Sequence, residues 1–414
     1  MNFQEVIDFL NNEKSGFITS VATYDTKSNS IMEPVAYDID KDGSDEVITG
    51  TQDGTLLVLK NDGTVLWNYK VSEKVGAVEA MFLDQDVSNS INSTPLVEDI
   101  NGDSNLEIIF GTELGHVYCL DNKGKKLWDF KADGAIRGKI GLLDIDNNDK
   151  PKIVFGTTNK IIYILDVKGK KIKSIETEHV IESTPIMFDG NLIIGTSEGK
   201  LVAMKKTGDV KWIVSTEEKI TAEPTLFPLK KGVTGLLVGS TDNTLYCINS
   251  RGKVLWKYKT EGSIYSKVLI EDLNDDGLPE IIFGSCDNRL YVLNNRGIKL
   301  WSYDTDFWIV GSPVIMDIDN DNNKEIVVGS YDTQVYVLSA EGMYGLGFVP
   351  GISGIVTQDG NYSEIPTQDP GEIVGKKLWS YQTQGFIVGC CNSSNHLVVQ
   401  TKDGKIIWIK HEKN

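Results

Sequence analysis

The chain has 414 residues, 40% of them hydrophobic and 24% charged, which is the balance of a folded globular protein and excludes disorder for the chain as a whole. Its 59 acidic residues against 41 basic ones leave a formal charge of −18, so nucleic acid and anionic membrane surfaces are excluded as partners on electrostatic grounds. Five scattered cysteines do not make a disulfide framework, and the four histidines show no metal-ligand spacing.

Residues 1–15 place Phe3, Val6, Ile7 and Leu10 at i, i+3, i+4 and i+7, which predicts a short amphipathic helix. This stretch lacks the basic and apolar regions of a signal peptide, and no run reaches the ~18 apolar residues of a membrane span. A cytoplasmic protein is expected; the alternative is a secreted or cell-surface protein whose signal peptide is absent from this chain.

Residues 16–414 then read as one repeat domain. Branched apolar residues followed by Gly and Thr or Ser recur as ITGT (48–51), IFGT (109–112), VFGT (154–157), IIGT (193–196), LVGS (237–240), IFGS (282–285) and VVGS (327–330), with a degenerate VVQT at 398–401. The spacing is close to 45 residues apart from insertions at 71–92 and 341–374 and one shortened copy. Each unit reads as four strands: an apolar first strand, the Gly-Thr/Ser strand, a two-residue turn such as Asp53-Gly54, an alternating third strand, and a fourth strand carrying a Trp. The fold class predicted is all-β, an eight-bladed β-propeller of four-stranded blades, with seven blades as the alternative. The last copy lacks a fourth strand, and GFITSVATYDT (16–26) precedes the first complete unit, so this N-terminal strand is expected to complete the last blade.

Acidic loops lie between the first and second strands of several units. Blade 1 carries Asp38, Asp40, Asp42, Gly43 and Glu46; blade 2 carries Asp99, Asn101, Asp103 and Glu107. Blade 6 carries Asp272, Asn274, Asp276, Gly277 and Glu280; blade 7 carries Asp317, Asp319, Asp321 and Glu325. Alternate oxygens of a tight loop can turn toward one hard cation, and a later Glu can close the shell, so structural calcium is expected at these four places. The blade-3 loop keeps Asp144, Asp146 and Asn148 but has Lys152 where Glu would close, so a lysine replaces the charge of an ion there.

Two motifs invite catalytic readings. Gly195-Thr196-Ser197-Glu198-Gly199 matches a nucleophile elbow, but it is the blade-4 copy of the repeated hairpin turn and lacks the strand–turn–helix setting. Cys390-Cys391 falls on the first strand of blade 8, the strand expected to be innermost and to face the central channel; small packed hydrophobes are the simpler reading.

The Trp strands CLDNKGKKLW (119–128), CINSRGKVLW (247–256), VLNNRGIKLW (292–301) and VLKNDGTVLW (58–67) resemble the repeats of quinoprotein-type (PQQ-like) propellers. The resemblance implies that Trp67, Trp128, Trp212, Trp256, Trp301 and Trp379 pack between blades, with Lys173 standing in the third copy. The acidic loops resemble the calcium loops of integrin-type FG-GAP propellers. PQQ is not expected as a cofactor, although quinoprotein enzymes carry an adjacent-cysteine disulfide to which Cys390-Cys391 is comparable. The function expected is a calcium-stabilised, non-enzymatic scaffold, a monomer that binds a protein or glycan. The alternatives are a quinoprotein-like oxidoreductase, a polysaccharide lyase or hydrolase using the central channel, and a segment of a larger assembly. The insertion at 341–374 carries Tyr344, Phe348, Val349 and Ile352, which are expected either to bind a partner or to fold over the edge of the ring; for both insertions the plainer alternative is surface decoration.

Overall fold

The computed structural model describes residues 16–72, 89–230, 232–274, 276–344, 355–356, 362–363 and 373–413. The helix expected over 1–15 and most of both insertions lie outside these residues.

Eight antiparallel four-stranded blades are present. Blade 1 comprises Val35–Tyr37, Glu46–Gly50, Thr55–Leu59 and Val65–Lys70, paired in that order. Blades 2 to 7 repeat the meander, beginning at Leu96, Gly141, Ile186, Thr225, Leu269 and Val314. Blade 8 takes Ile387–Ser393, His396–Thr401 and Lys405–Glu412 from the C-terminus and Phe17–Asp25 from the N-terminus as its outer strand. The two chain ends are thereby bonded to each other, from Phe17 opposite Glu412 to Asp25 opposite Lys405. Blades 6 and 7 also touch through their outer strands by one parallel pair, Ser302 with Val374.

The second and third strands of each blade are buried, because every blade is sandwiched between two others. The described residues form eight apolar clusters, and each occupies one interface between consecutive blades. One of them joins Val398, Ile406 and Trp408 of blade 8 to Val47, Leu57 and Leu59 of blade 1, which closes the ring. The edges that remain are the inner and outer strands of the blades.

The recurrent glycine has a steric cause. A Cβ on Gly50 would lie 2.6 Å from Cγ2 of Ile91, in the connection leading to the next blade. At Gly111, Gly156, Gly195, Gly239, Gly284 and Gly329 the added atom would strike Ile136, Ile181, Ile220, Ile264, Ile309 and Ile387. The degenerate copy tolerates Gln400 because the facing connection carries Ser30 and Met32, and the Gln400 amide donates to the Met32 carbonyl at 3.1 Å.

The tryptophans work similarly, as interblade struts. Nε1 of Trp67 donates to the Asn122 carbonyl at 3.1 Å, Trp128 to Val167 at 3.1 Å, and Trp212 to Ser250 at 3.0 Å, each acceptor lying in the last turn of the following blade. Trp379 reaches the Gly16 carbonyl at 3.2 Å across the closure. The ring faces lie against the turn glycines, where a Cβ on Gly124 would come within 2.7 Å of the Trp67 ring. Lys173 keeps the bond without the ring: its ammonium donates to the Lys206 and Thr207 carbonyls at 3.0 and 2.9 Å.

Candidate functional site

Antiparallel order puts the acidic loops and the last turns of the blades on one face. The middle turns and the connections between blades occupy the other face, around the channel mouth.

On the first face all four expected loops share one geometry. The leading aspartate accepts from backbone N–H groups four and five residues on: Asp38 from Asp42 and Gly43, both at 3.1 Å; Asp272 from Asp276 and Gly277 at 3.1 and 2.8 Å; Asp317 from Asp321 and Asn322 at 3.0 and 2.9 Å. Asp99 does the same with Asp103 and Ser104 at 3.2 and 2.8 Å. The sixth position has positive φ whether it is Gly43, Ser104, Gly277 or Asn322 (91°, 69°, 81° and 68°), so the bend belongs to the loop and not to glycine alone.

The closing glutamates are buried. Glu46, Glu107, Glu280 and Glu325 each accept one backbone N–H, from Ile39, Ile100, Leu273 and Ile318 at 2.9–3.1 Å. Burial pushes the Glu46 carboxyl up to about 7 and raises those of Glu107 and Glu280, with neighbouring aspartates adding to the effect. Two of the loops gather three carboxylate oxygens within 4.8 Å of one another: Asp38, Asp40 and Asp42, and Asp317, Asp319 and Glu325. In the other two, Asn101 and Asn274 take the middle place, and their Oδ1 atoms accept from Asp103 and Asp276 N–H groups. An all-oxygen donor set with buried carboxylates fits a hard cation such as calcium. In blade 1 the Lys60 ammonium stands 3.4 Å from both Asp40 and Asp42, supplying positive charge to the same oxygens. In blade 3, Lys206 and Lys152 flank Asp146 at 2.8 and 3.9 Å, so cationic side chains answer the carboxylate there.

On the second face a cavity of about 710 Å³, lined by polar and apolar side chains alike, occupies the channel mouth. Arg137, in the connection from blade 2 to blade 3, binds Glu113 with two nitrogens at 3.1 and 2.5 Å and Glu182 at 2.8 Å. Asn92 donates to Glu113 and Ser197 to Glu182, both at 2.8 Å, so Ser197 of the elbow-like motif serves a carboxylate network. Elsewhere on the cavity wall, Lys267 binds Glu223 at 2.5 Å. Glu33 accepts from the Ser312 N–H at 2.5 Å, and burial raises its carboxyl above the usual range. Sequence reasoning missed this cluster. Its signal was positional: Glu113 and Ser197 both directly follow the Gly-Thr phrase.

The cysteine pair does not face the channel as expected. Cys390 packs among blade-7 and blade-8 side chains, Cys391 packs toward blade 1, and both are free thiols. The reason is pleating: adjacent residues of a radial sheet point to opposite flanking blades, so an inner strand shows the channel its edge. Burial pushes the Cys390 thiol up to about 12.

With this geometry in view, the comparisons with known proteins decide the family. The sequence matches the family described as the lambda-carrageenase beta-propeller domain over residues 32–82, 77–189 and 236–345, well over half of the chain. The chain belongs to this propeller family. Two proteins named Lambda-carrageenase, from Pseudoalteromonas sp. and Pseudoalteromonas carrageenovora, are each 31% identical over 88 residues, which is 21% of this chain and 8% of theirs. Among solved structures, BamB from Moraxella catarrhalis superposes with a TM-score of 0.61 at 17% identity, covering 95% of this chain and 99% of that one. The computationally designed Ika8 protein gives 0.65 at 14% identity, with 95% and 99% covered. BBS1N, solved in complex with ARL6DN, gives 0.54 at 11%, with 96% and 98% covered. At these identities the structural likenesses speak for the shared fold alone.

Proposed function

We propose that this chain of the carrageenase-type propeller family is a non-enzymatic, calcium-stabilised scaffold that holds a glycan or protein ligand at its channel mouth. The observation that carries the reading is the mouth cavity of about 710 Å³, walled by the Glu113–Arg137–Glu182 bridge. Such a wall offers both donors and acceptors in fixed positions, which is what recognition of a hydroxyl-rich ligand requires. The similarity to two proteins named Lambda-carrageenase favours a glycan over a protein. Glu113 and Glu182 are held by one guanidinium and are therefore poorly placed to donate a proton to a substrate, which favours binding over hydrolysis. Calcium at Asp38, Asp40, Asp42 and Glu46, and at the matching residues of blades 2, 6 and 7, would neutralise buried carboxylates and hold the loops.

Affinity electrophoresis through gels containing soluble polysaccharides, run beside a product assay, tests this reading. Retardation without new sugar ends is expected, and Arg137→Ala should abolish it. Release of oligosaccharides by the purified chain would instead establish the lyase or hydrolase alternative.

A further inference from the structure

The connections entering successive blades present one equivalent outward position, defined by its carbonyl, which accepts from the middle turn of the blade being entered. Ser90 accepts from Glu113 N–H, Ala135 from Thr158, Val180 from Ser197, Lys219 from Thr241 and Ser263 from Cys286, all at 2.9–3.1 Å. At the entries to blades 7 and 8 the same position is aromatic: Trp308 accepts from Tyr331 N–H at 2.9 Å and Phe386 from Lys402 N–H at 2.7 Å. The fold does not require an aromatic here, since the other six blades manage without one, blade 1 placing Asn29 there to accept from Gln52 N–H at 2.8 Å. The core is plugged by the next residue, Ile309 or Ile387, which is buried in every case.

These rings form a pre-set surface. Phe307 and Trp308 stack at 5.0 Å and 18°, and Tyr331 and Phe386 stack at 5.3 Å and 17°. The Tyr331–Trp308 backbone bond places the two stacks side by side. The Phe307 carbonyl is pinned by Thr305 Oγ1 at 2.7 Å and Ser330 Oγ at 3.1 Å. Yet Phe307, Trp308 and Phe386 remain 41%, 45% and 48% exposed. Exposed aromatics concentrated at one sector of one face mark a binding surface.

We infer that Phe307, Trp308, Tyr331 and Phe386 form a stacking platform for pyranose rings of an uncharged polysaccharide, next to the channel mouth. This deepens the glycan reading above and rests on it. A pyranose turns one face of C–H groups outward and carries hydroxyls at its rim. Flat, rigid rings meet the C–H face at little entropic cost. Asp306 and Gln384, close to the rings in the chain, and Lys402, whose N–H bonds the Phe386 carbonyl, are polar and suit the rim. A peptide anchor would instead call for a pocket that engulfs a side chain. Nucleic acid bases also stack on aromatics, but a chain of net charge −18 repels their backbone.

The test is affinity electrophoresis of the whole chain through gels containing an uncharged glucan, mannan or galactan. Wild type, Trp308→Ala/Phe386→Ala, Trp308→Phe and Arg137→Ala are compared, with the melting temperature of each variant measured as a folding control. Retardation of wild type by one of the three polysaccharides is expected, weakened about tenfold for each ring removed and largely kept in Trp308→Phe. Addition of the retarding polysaccharide should also change tryptophan emission in wild type and not in Trp308→Phe. Retardation that persists in the double variant but disappears in Arg137→Ala overturns the platform and leaves the mouth reading standing. Absence of retardation in all three gels overturns the platform, and capture of a protein ligand sensitive to Arg137→Ala would then preserve the scaffold alone.

Discussion

The Lys173 ammonium donates to the Lys206 carbonyl at 3.0 Å, taking the place that a tryptophan indole holds in blades 1, 2, 4 and 7. Lys173 and Trp128 thus perform the same strut function with different chemistry, since Trp128 bonds Val167 in the equivalent turn of its neighbour. The lysine saves the hydrogen bond and gives up the ring contact with the turn glycine. Lys173→Trp should therefore stabilise the interface of blades 3 and 4, by about 1 kcal/mol from added apolar burial. A urea midpoint equal to or below that of wild type would refute the equivalence.

Calcium should raise the melting temperature of metal-stripped protein. A ligand bound only by the folded state at a hundredfold excess over Kd adds about 2.7 kcal/mol. Asp38→Ala and Asp317→Ala should each remove part of the rise. Asp144→Ala should leave it intact, because lysines already flank the blade-3 carboxylate Asp146. Scanning calorimetry in EDTA and in calcium decides this.

The glycine of the repeat should be sensitive out of proportion to its size. Gly284→Ala drives a methyl into Ile309 and should cost about 1–3 kcal/mol of stability. In an Ile309→Ala background the same change should cost much less. Equal losses in both backgrounds, measured by chemical denaturation, would mean that Gly284 serves another purpose.

Glu33 should make the fold sensitive to alkali. Burial raises its folded value above that of the unfolded chain, near about 4.3, with the Ser312 N–H pulling the other way. A raised value means that Glu33 contributes stability fully below the unfolded value and loses it as pH climbs through the folded one. Glu33→Gln keeps an acceptor for Ser312 and carries no titration, so its melting temperature should fall less than wild type from about pH 5 to about pH 8. Parallel profiles would show that Glu33 titrates normally.

The thiols should be inert in the native state. Burial pushes Cys286 up to about 11 and Cys247 and Cys390 up to about 12, which leaves little thiolate at neutral pH. Mass spectrometry after alkylation should find all three unmodified until the chain is denatured. Rapid native labelling of Cys390 would contradict its packing between blades 7 and 8.

The eight-bladed architecture was legible in the chain, down to the N-terminal strand that completes the last blade, because local turn chemistry and a repeated glycine specify each unit independently. The fold of the acidic loops was equally legible, since their carboxylates lie within nine residues and the loop folds on itself. The cysteine pair packs as small hydrophobes, the simpler reading of the sequence; pleating sends the two thiols to opposite sides of the strand, and only the structure says which flanking blade each one meets.

What the sequence determined by itself is therefore the local order: the repeat, its strands, its turns and its loops. Tertiary structure alone decided what meets at the channel mouth. Glu113, Arg137 and Glu182 come from different blades and the connections between them, and Phe386 at the entry to blade 8 meets Tyr331 of blade 7; no short-range pattern records either meeting. Only closure of the ring, driven by the eight interblade cores, brings these distant connections to one face.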